Sequence, residues 1–312
     1  MGPFLAMAKQ TKDPGFGSRY EGRTKRMINK DGSFNIIREG TGMHFADTYQ
    51  YLIAMSWPRF LGLVVLVYCI VNCLFAFIYL GVGVEEISGP SSESLFLRFF
   101  KAFFFSAQTF TTVGYGTLAP KGVATGIVAS AEALVGLMSF ALATGLLWGR
   151  FSRPTSRILF SENALVKKEG DNFSLLFRMV NQRTNVLMNM HVDVLLSVVK
   201  KSGESFTRTY YTLQLETNHI NFFPLNWTLV HKIDSSSPIF GWDESDWREA
   251  EAELLILVKG FDDSFSQEVL KRHSYRFDEV IWGARFVKAF HIDDDGDVIM
   301  DVNRIHDYEK HN

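Results

Sequence analysis

The chain has 312 residues, 32 Lys/Arg against 34 Asp/Glu for a formal net charge of −2, and 47% hydrophobic residues. That length suits two domains. A near-neutral charge with no basic stripe excludes a nucleic-acid binder, and two cysteines exclude a disulfide framework. The apolar residues concentrate between Phe60 and Trp148, whereas the remainder reads like a water-soluble domain.

Residues 1–43 are rich in Gly, Lys and Arg with little periodicity, and are expected to form a cytoplasmic arm, mobile unless docked on another part of the protein. The opening Met1-Gly2-Pro3-Phe4 turns polar without the apolar core of a signal peptide, so no cleavage is expected. Residues 44–57 follow as a short helix: Phe45, Tyr49, Leu52 and Ile53 fall at i, i+4, i+7, i+8. The spacing suits a helix on the membrane surface or one packed on protein, and its place just before an apolar run favours the surface. Trp57-Pro58-Arg59 then supplies an aromatic anchor, a helix-starting proline and a cation able to snorkel to headgroups.

Phe60 to Val84 holds no charged residue, which is long enough to cross the hydrocarbon layer. Cys69 and Cys73, four apart within it, read as packing residues. Glu85 to Glu93 is polar, with Gly89-Pro90-Ser91-Ser92 as a turn. Leu95 to Phe110 is aromatic and too short to span; it suits a re-entrant helix whose C-terminal dipole points partial negative charge at a cation. Directly after it comes Thr111 and then Thr112-Val113-Gly114-Tyr115-Gly116. Four copies of such a loop around an axis replace the hydration shell of K+ with carbonyl oxygens. Gly114 and Gly116 permit the backbone angles that turn successive carbonyls inward. The Thr112 hydroxyl adds the innermost oxygen, and Val113 and Tyr115 point away from the axis. Irregular backbone at this depth is tolerable only where it is buried or lines a water path. The K+ ligands expected are Thr112, Val113, Gly114 and Tyr115; no cofactor is expected.

Val123 to Gly149 is a second span, interrupted by Glu132 alone. A carboxyl in its outer half suggests either a brace on the short helix or direct attraction of the ion, with bracing favoured. Gly136 and Gly145 are candidate sites of close packing or bending. Residues 1–59 carry nine Lys/Arg against five acids, residues 81–121 carry three of each, and Arg150, Arg153 and Arg157 follow the second span. Both termini are therefore expected to be cytoplasmic, in a multi-pass protein of a cell membrane, bacterial inner membrane in type. The same three arginines would meet anionic headgroups, or serve topology alone.

Beyond Arg153-Pro154, Leu175–Met179, Val192–Val199, Phe206–Leu215, Trp227–Ile233 and Leu254–Val258 are short β-branched or aromatic runs between turn residues, the pattern of a β-sandwich. The cluster Asp293-Asp294-Asp295-Gly296-Asp297 fails the calcium-loop pattern and reads as the turn of a hairpin between Val287–Ile292 and Val298–Val302. No catalytic constellation, phosphate-cradling loop or Cys/His metal spacing is present, so an enzyme is not expected.

These features together resemble the inward-rectifier potassium channels, in particular the prokaryotic, KirBac-like branch. The resemblance runs from Lys30-Asp31-Gly32 through Trp57, Thr112–Gly116, Gly136, Gly145 and Arg153-Pro154. It continues in Phe160-Ser161-Glu162-Asn163-Ala164, Asn181-Gln182-Arg183, Ile233-Asp234-Ser235-Ser236-Ser237-Pro238 and Asp278-Glu279-Val280-Ile281-Trp282-Gly283. It implies a homotetramer with a two-span pore domain, residues 58–150, and an immunoglobulin-like cytoplasmic β-sandwich, residues 151–312, that bears on gating. Phe140 stands where strongly rectifying animal members carry an acid, which implies weak rectification. Phe140 and Trp148 would form hydrophobic constrictions on inner helices hinged near Gly145, or would face neighbouring helices. The acid–arginine pair that braces the animal filter is replaced by Gln108 and Leu118, which makes Glu132 the candidate for a substitute brace; the residues expected to support the filter are Gln108, Thr111 and Glu132. Lipid regulation, by anionic phospholipid or phosphoinositide, would act at Trp57, Arg59, Arg150, Arg153 and Arg157. Phe265, in Gly260–Gln267, matches a loop that narrows the cytoplasmic pore. The rival reading is a membrane-anchored β-sandwich sensor with a non-conducting pore.

Overall fold

The computed structural model describes residues 10–20, 26–40, 45–90, 93–152, 156–170, 172–202 and 205–310. The chain divides into two compact units, one of Gly40–Arg153 and one joining Met1–Glu39 to Pro154–Asn312.

The first unit is helical. Helix α1, Phe45–Ala54, is followed by α2, Trp57–Val82, with Pro58 in its opening turn where the missing N–H costs nothing. Its 26 residues reach about 39 Å, enough to cross the hydrocarbon layer. It stops at Gly83, whose φ of 123° is open to glycine and whose N–H caps Tyr79 O. Helix α3 covers Leu95–Phe110, and α4 runs for 29 residues over Val123–Phe151, two residues past the expected end. Among the described residues α2 and α4 are the two helices long and apolar enough to span a membrane. They pack with α3 around Ala76, Tyr79, Val84, Ile87, Ala102 and Phe105.

The second unit is a β-sandwich. One sheet runs Gln10–Thr11, Ser205–Thr212, Leu187–Ser202, Glu253–Asp262, Gln267–Arg276, with Arg19–Tyr20 and His219–Phe222 on side pairings. The other runs Val280–Trp282, Ala164–Glu169, Asn172–Asn181, Ile158–Phe160, with Trp227–Ile233 also on Asn172–Asn181. All neighbours are antiparallel except Val280–Trp282 beside Ala164–Glu169. Alternation builds the core: Val192, Val194, Leu196 and Val198 of one sheet meet Leu175, Phe177, Met179 and Leu229 of the other. The expected strands lie inside these, except that Phe206–Leu215 overran its strand. The acidic turn does join a hairpin, of Phe290–Ile292 with Val298–Met300. Its strands are shorter than expected, and Val302 opens a 3-10 turn instead.

The described part of the N-terminal arm is docked. Gln10 pairs Tyr211 and Arg19 pairs Thr207, and Met27 and Ile28 are buried. The buried Glu253 carboxylate accepts the Met27 N–H at 3.0 Å and lies 3.6 Å from the equally buried Arg208. Arg26 donates to Ser274 O and Glu279, both at 2.8 Å, and Ser274 Oγ donates to Ile28 O at 2.7 Å. A carboxylate sealed in this way must be matched by charge and N–H donors, and the arm supplies the donors.

Candidate functional site

The loop Thr112–Gly116 leaves the C-terminus of α3. Its φ angles are positive at every second residue: 60° at Thr112, 53° at Gly114 and 83° at Gly116. Alternating backbone hand turns successive carbonyls to one side, which an extended strand cannot do. For the two glycines this conformation is free of strain. For β-branched Thr112 it is an unusual and costly state, of order 1–3 kcal/mol. The surroundings hold it in place: Thr112 N–H donates to Thr109 O at 3.0 Å, and Gln108 O accepts from Val113 at 2.9 Å and Gly114 at 3.3 Å.

Gln108 also holds the far end of the loop, its Nε2 donating to Leu118 O at 2.9 Å. Positions 108 and 118 therefore meet, side chain to main chain, where the animal pair would stand. Beyond the loop, Ser88 Oγ donates to Thr117 O at 3.0 Å and accepts from Ala119 N–H at 2.7 Å. Thr111 Oγ1 donates to Ala107 O at 2.7 Å. Val113 and Tyr115 are exposed on the single chain.

Glu132 of α4 lies behind α3, fully buried. Tyr79 Oη of α2 donates to its Oε2 at 2.6 Å, and Ser106 Oγ of α3 lies against its Oε1. Ser106 Oγ is also 2.9 Å from Asn72 Oδ1, and Asn72 Nδ2 donates to Tyr68 O at 2.7 Å. One carboxyl thus ties three helices. Asn72, Tyr79 and Ser106 are members of the set that sequence reasoning missed; a polar residue at 72 within an unbroken apolar run was the available signal.

Farther along α4, Phe140 and Trp148 are exposed large side chains, and Gly145 has nothing within 4 Å of a Cβ built on it. Arg150, expected at lipid headgroups, is placed differently. Its Nη1 donates to Leu52 O at 2.6 Å and Ile53 O at 3.0 Å, and its Nη2 to Met55 O at 2.6 Å. The guanidinium lies 4.6 Å from the Trp57 ring centre and 4.4 Å from that of Phe60. It therefore caps the C-terminal carbonyls of α1, a favourable place for a cation. The Trp57 ring lies tilted at 45° against that of Phe151, their centres 5.1 Å apart, and Arg59 is exposed. Arg153 lies outside the described residues, and Arg157 is an exposed residue of the sandwich unit.

Phe265 sits in the turn between Glu253–Asp262 and Gln267–Arg276 and is partly exposed. The turn is anchored by buried Asp262, which accepts from Asn185 Nδ2 at 2.8 Å and Ser264 N–H at 3.0 Å.

Comparison with known proteins decides the family. Residues 158–312 match the inward rectifier potassium channel C-terminal domain, and residues 63–152 match the ion channel family. The chain is 36% identical over 296 residues to the inward rectifier potassium channel Kirbac3.1 of Paramagnetospirillum magnetotacticum, covering 93% of this chain and 98% of that protein. The chain belongs to the inward-rectifier potassium channel family. This channel is also 24% identical over 308 residues to the human G protein-activated inward rectifier potassium channel 4, covering 91% of the channel and 72% of its relative. It is 25% identical over 286 residues to the mouse ATP-sensitive inward rectifier potassium channel 12, covering 84% and 66%. The channel's two spans, the re-entrant α3 between them and the C-terminal β-sandwich make up the fold expected of that family, and the protein is an ion channel of a membrane, not an enzyme.

Proposed function

We propose that four copies of the channel assemble around the Thr112–Gly116 loop and conduct K+ passively, with Thr112, Val113, Gly114 and Tyr115 as its ligands. The observation that carries this is the positive φ at 112, 114 and 116, which turns consecutive carbonyl oxygens to one side as a ring of cation ligands requires. Inner helices α4 close the path at Phe140 and Trp148 by dewetting, flexing near Gly145. Phe140 offers no carboxylate to a blocking cation, so rectification is weak.

Docking of the arm on the sandwich supports one further step. With two spans between them, partners so intimately paired lie on the same side of the membrane, and the Lys/Arg bias of residues 1–59 makes that side cytoplasmic. Arg59 and Arg157, exposed, are the candidate contacts for anionic phospholipid, each contributing about 1 kcal/mol near a charged leaflet. The Phe265 turn narrows the cytoplasmic end of the path.

The test is K+-driven rubidium uptake into liposomes holding the purified protein, beside Gly114→Ala, with and without phosphoinositide. Uptake blocked by barium and lost in the variant is expected; the lipid arm gives the sign of regulation. A verified tetramer that takes up nothing under any lipid condition would instead favour a sensor with a non-conducting pore.

A further inference from the structure

The buried chain of polar groups behind α3 can be read by counting protons. Three oxygen–oxygen contacts link Tyr79 Oη, Glu132 Oε2 and Oε1, Ser106 Oγ and Asn72 Oδ1. Each contact needs one proton between its oxygens, and the two hydroxyls supply only two. The orientation of Asn72 cannot be reversed to provide the third. Its Nδ2 faces the Tyr68 carbonyl at 2.7 Å, and turning the amide would set oxygen against oxygen there. Asn72 Oδ1 therefore faces Ser106, and Ser106 donates to it.

The missing proton has one remaining place, the Glu132 carboxyl. We propose that Glu132 is held as a neutral carboxylic acid whose hydroxyl donates to Ser106 Oγ while its carbonyl oxygen accepts from Tyr79. The resulting chain runs in a single sense, Tyr79 to Glu132 to Ser106 to Asn72 to Tyr68 O, and leaves none of its members with a lone pair against a lone pair. An ionised Glu132 would take the Ser106 proton, leaving Asn72 Oδ1 facing an oxygen at 2.9 Å. It would also stand as a bare charge: among the described residues no cation forms an ion pair with it, and Glu132, Tyr79, Ser106 and Asn72 are all fully buried. Glu132 is thus a positioning residue. It sets α3 against α2 and α4 through directed hydrogen bonds, and it presents no negative charge to the permeating ion. Its bearing on conduction rests on Thr112–Gly116 being the filter; its protonation does not.

The experiment uses the full-length protein in lipid near neutral pH. Infrared difference spectra of the parent against Glu132→Gln are expected to show a protonated-carboxyl C=O band lost in the variant. In Ser106→Ala the band moves to higher frequency, because its hydrogen-bond acceptor is gone. The Gln side chain repeats the pattern, its oxygen accepting from Tyr79 and its NH2 donating to Ser106, so rubidium uptake stays close to that of the parent. Glu132→Leu breaks both links, and uptake falls about tenfold or more, as the loss of a buried hydrogen bond implies. If Glu132→Gln instead removes a carboxylate band, or folds as a tetramer and conducts nothing, the proposal is wrong. Gly114→Ala conducting like the parent would overturn the filter reading and leave the infrared band untouched, so the two failures are distinguishable.

Discussion

Gly136 of α4 faces the carbonyl oxygen of Phe110, the last residue of α3: a Cβ added to Gly136 would lie 2.0 Å from that oxygen. The obstacle is main chain, so nothing flexible can swing aside. Gly136→Ala is expected to push α4 from α3 and destabilise the pore unit by about 1–3 kcal/mol, the usual cost of overpacking. Gly145→Ala meets nothing within 4 Å and should fold normally. Thermal unfolding of the two variants side by side tests the contrast; equal midpoints would refute it.

The Gln108 amide bond to Leu118 O predicts an asymmetric outcome at position 108. Gln108→Ala removes a donor and should weaken selectivity for K+ over Na+. Gln108→Glu should do more harm, because a carboxylate would face a carbonyl oxygen at 2.9 Å. Adding Leu118→Arg to Gln108→Glu gives that carboxylate a guanidinium partner and is expected to restore part of the selectivity. Measured K+/Na+ permeability ratios for the single and double variants form the cycle; no recovery in the double variant would count against a brace at these positions.

Arg150 holds three carbonyls at the end of α1. Arg150→Ala is expected to free that helix and raise amide hydrogen exchange over residues 45–56 by about tenfold or more, given the strength of hydrogen bonds from a charged donor. Lysine, a point charge without the planar fork, should fall between. Unchanged exchange in Arg150→Ala would show that α1 is held by other contacts, such as Tyr49 and Ile53 against Gly149.

His273 lies flat on Phe160 at 4.4 Å, and burial holds its imidazole down at about 4 from the usual 6.5. Arg26, Lys271 and Lys30 push in the same direction, and Glu279 opposes them. In the unfolded chain the ring takes up its proton first, so its contribution is complete above pH 6.5 and is lost as the pH falls toward 4. The loss is on the order of 3 kcal/mol. Burial lowers His231 also, where Nδ1 meets Gln214 O and Nε2 meets Ser237 Oγ, so both rings act in the same sense. Denaturant unfolding of the full-length protein between pH 7 and 4, followed by a probe of the sandwich, should show this decline, and His273→Phe should flatten it. An identical slope in the variant would exclude His273 as a source.

Regular structure was largely legible in the residues. The bounds of α3 follow from aromatic density between a polar loop and a glycine-bearing motif, and the spans from unbroken apolar runs. What was hidden shares a physical cause: it depends on contacts distant along the chain or made by the main chain. Gln108 next to Leu118 looks mismatched until the Leu118 carbonyl is seen to be the partner. Arg150 looks like any cation at a membrane edge until the end of α1 is set beside it. The docked arm uses two-residue strands and a few N–H groups, too short to leave any periodicity. The positive φ of Thr112 opposes the local preference of threonine and is imposed by its neighbours.

The pairing of Arg26 with Ser274, 248 residues apart, also fixes an order of events during synthesis. At 5–20 residues per second, about 10–50 s separate the emergence of the arm from that of the strand that receives it. Both apolar spans are made within that interval, before the Ser274 carbonyl that Arg26 binds exists. Glu253, when it arrives beside Arg208, finds its remaining donor, the Met27 N–H, already made. Docking of the arm is thus completed late: a chain interrupted before Gln267–Arg276 can pair Gln10 with Tyr211 and Arg19 with Thr207, yet lacks Ser274 and Glu279, the partners that lock Arg26.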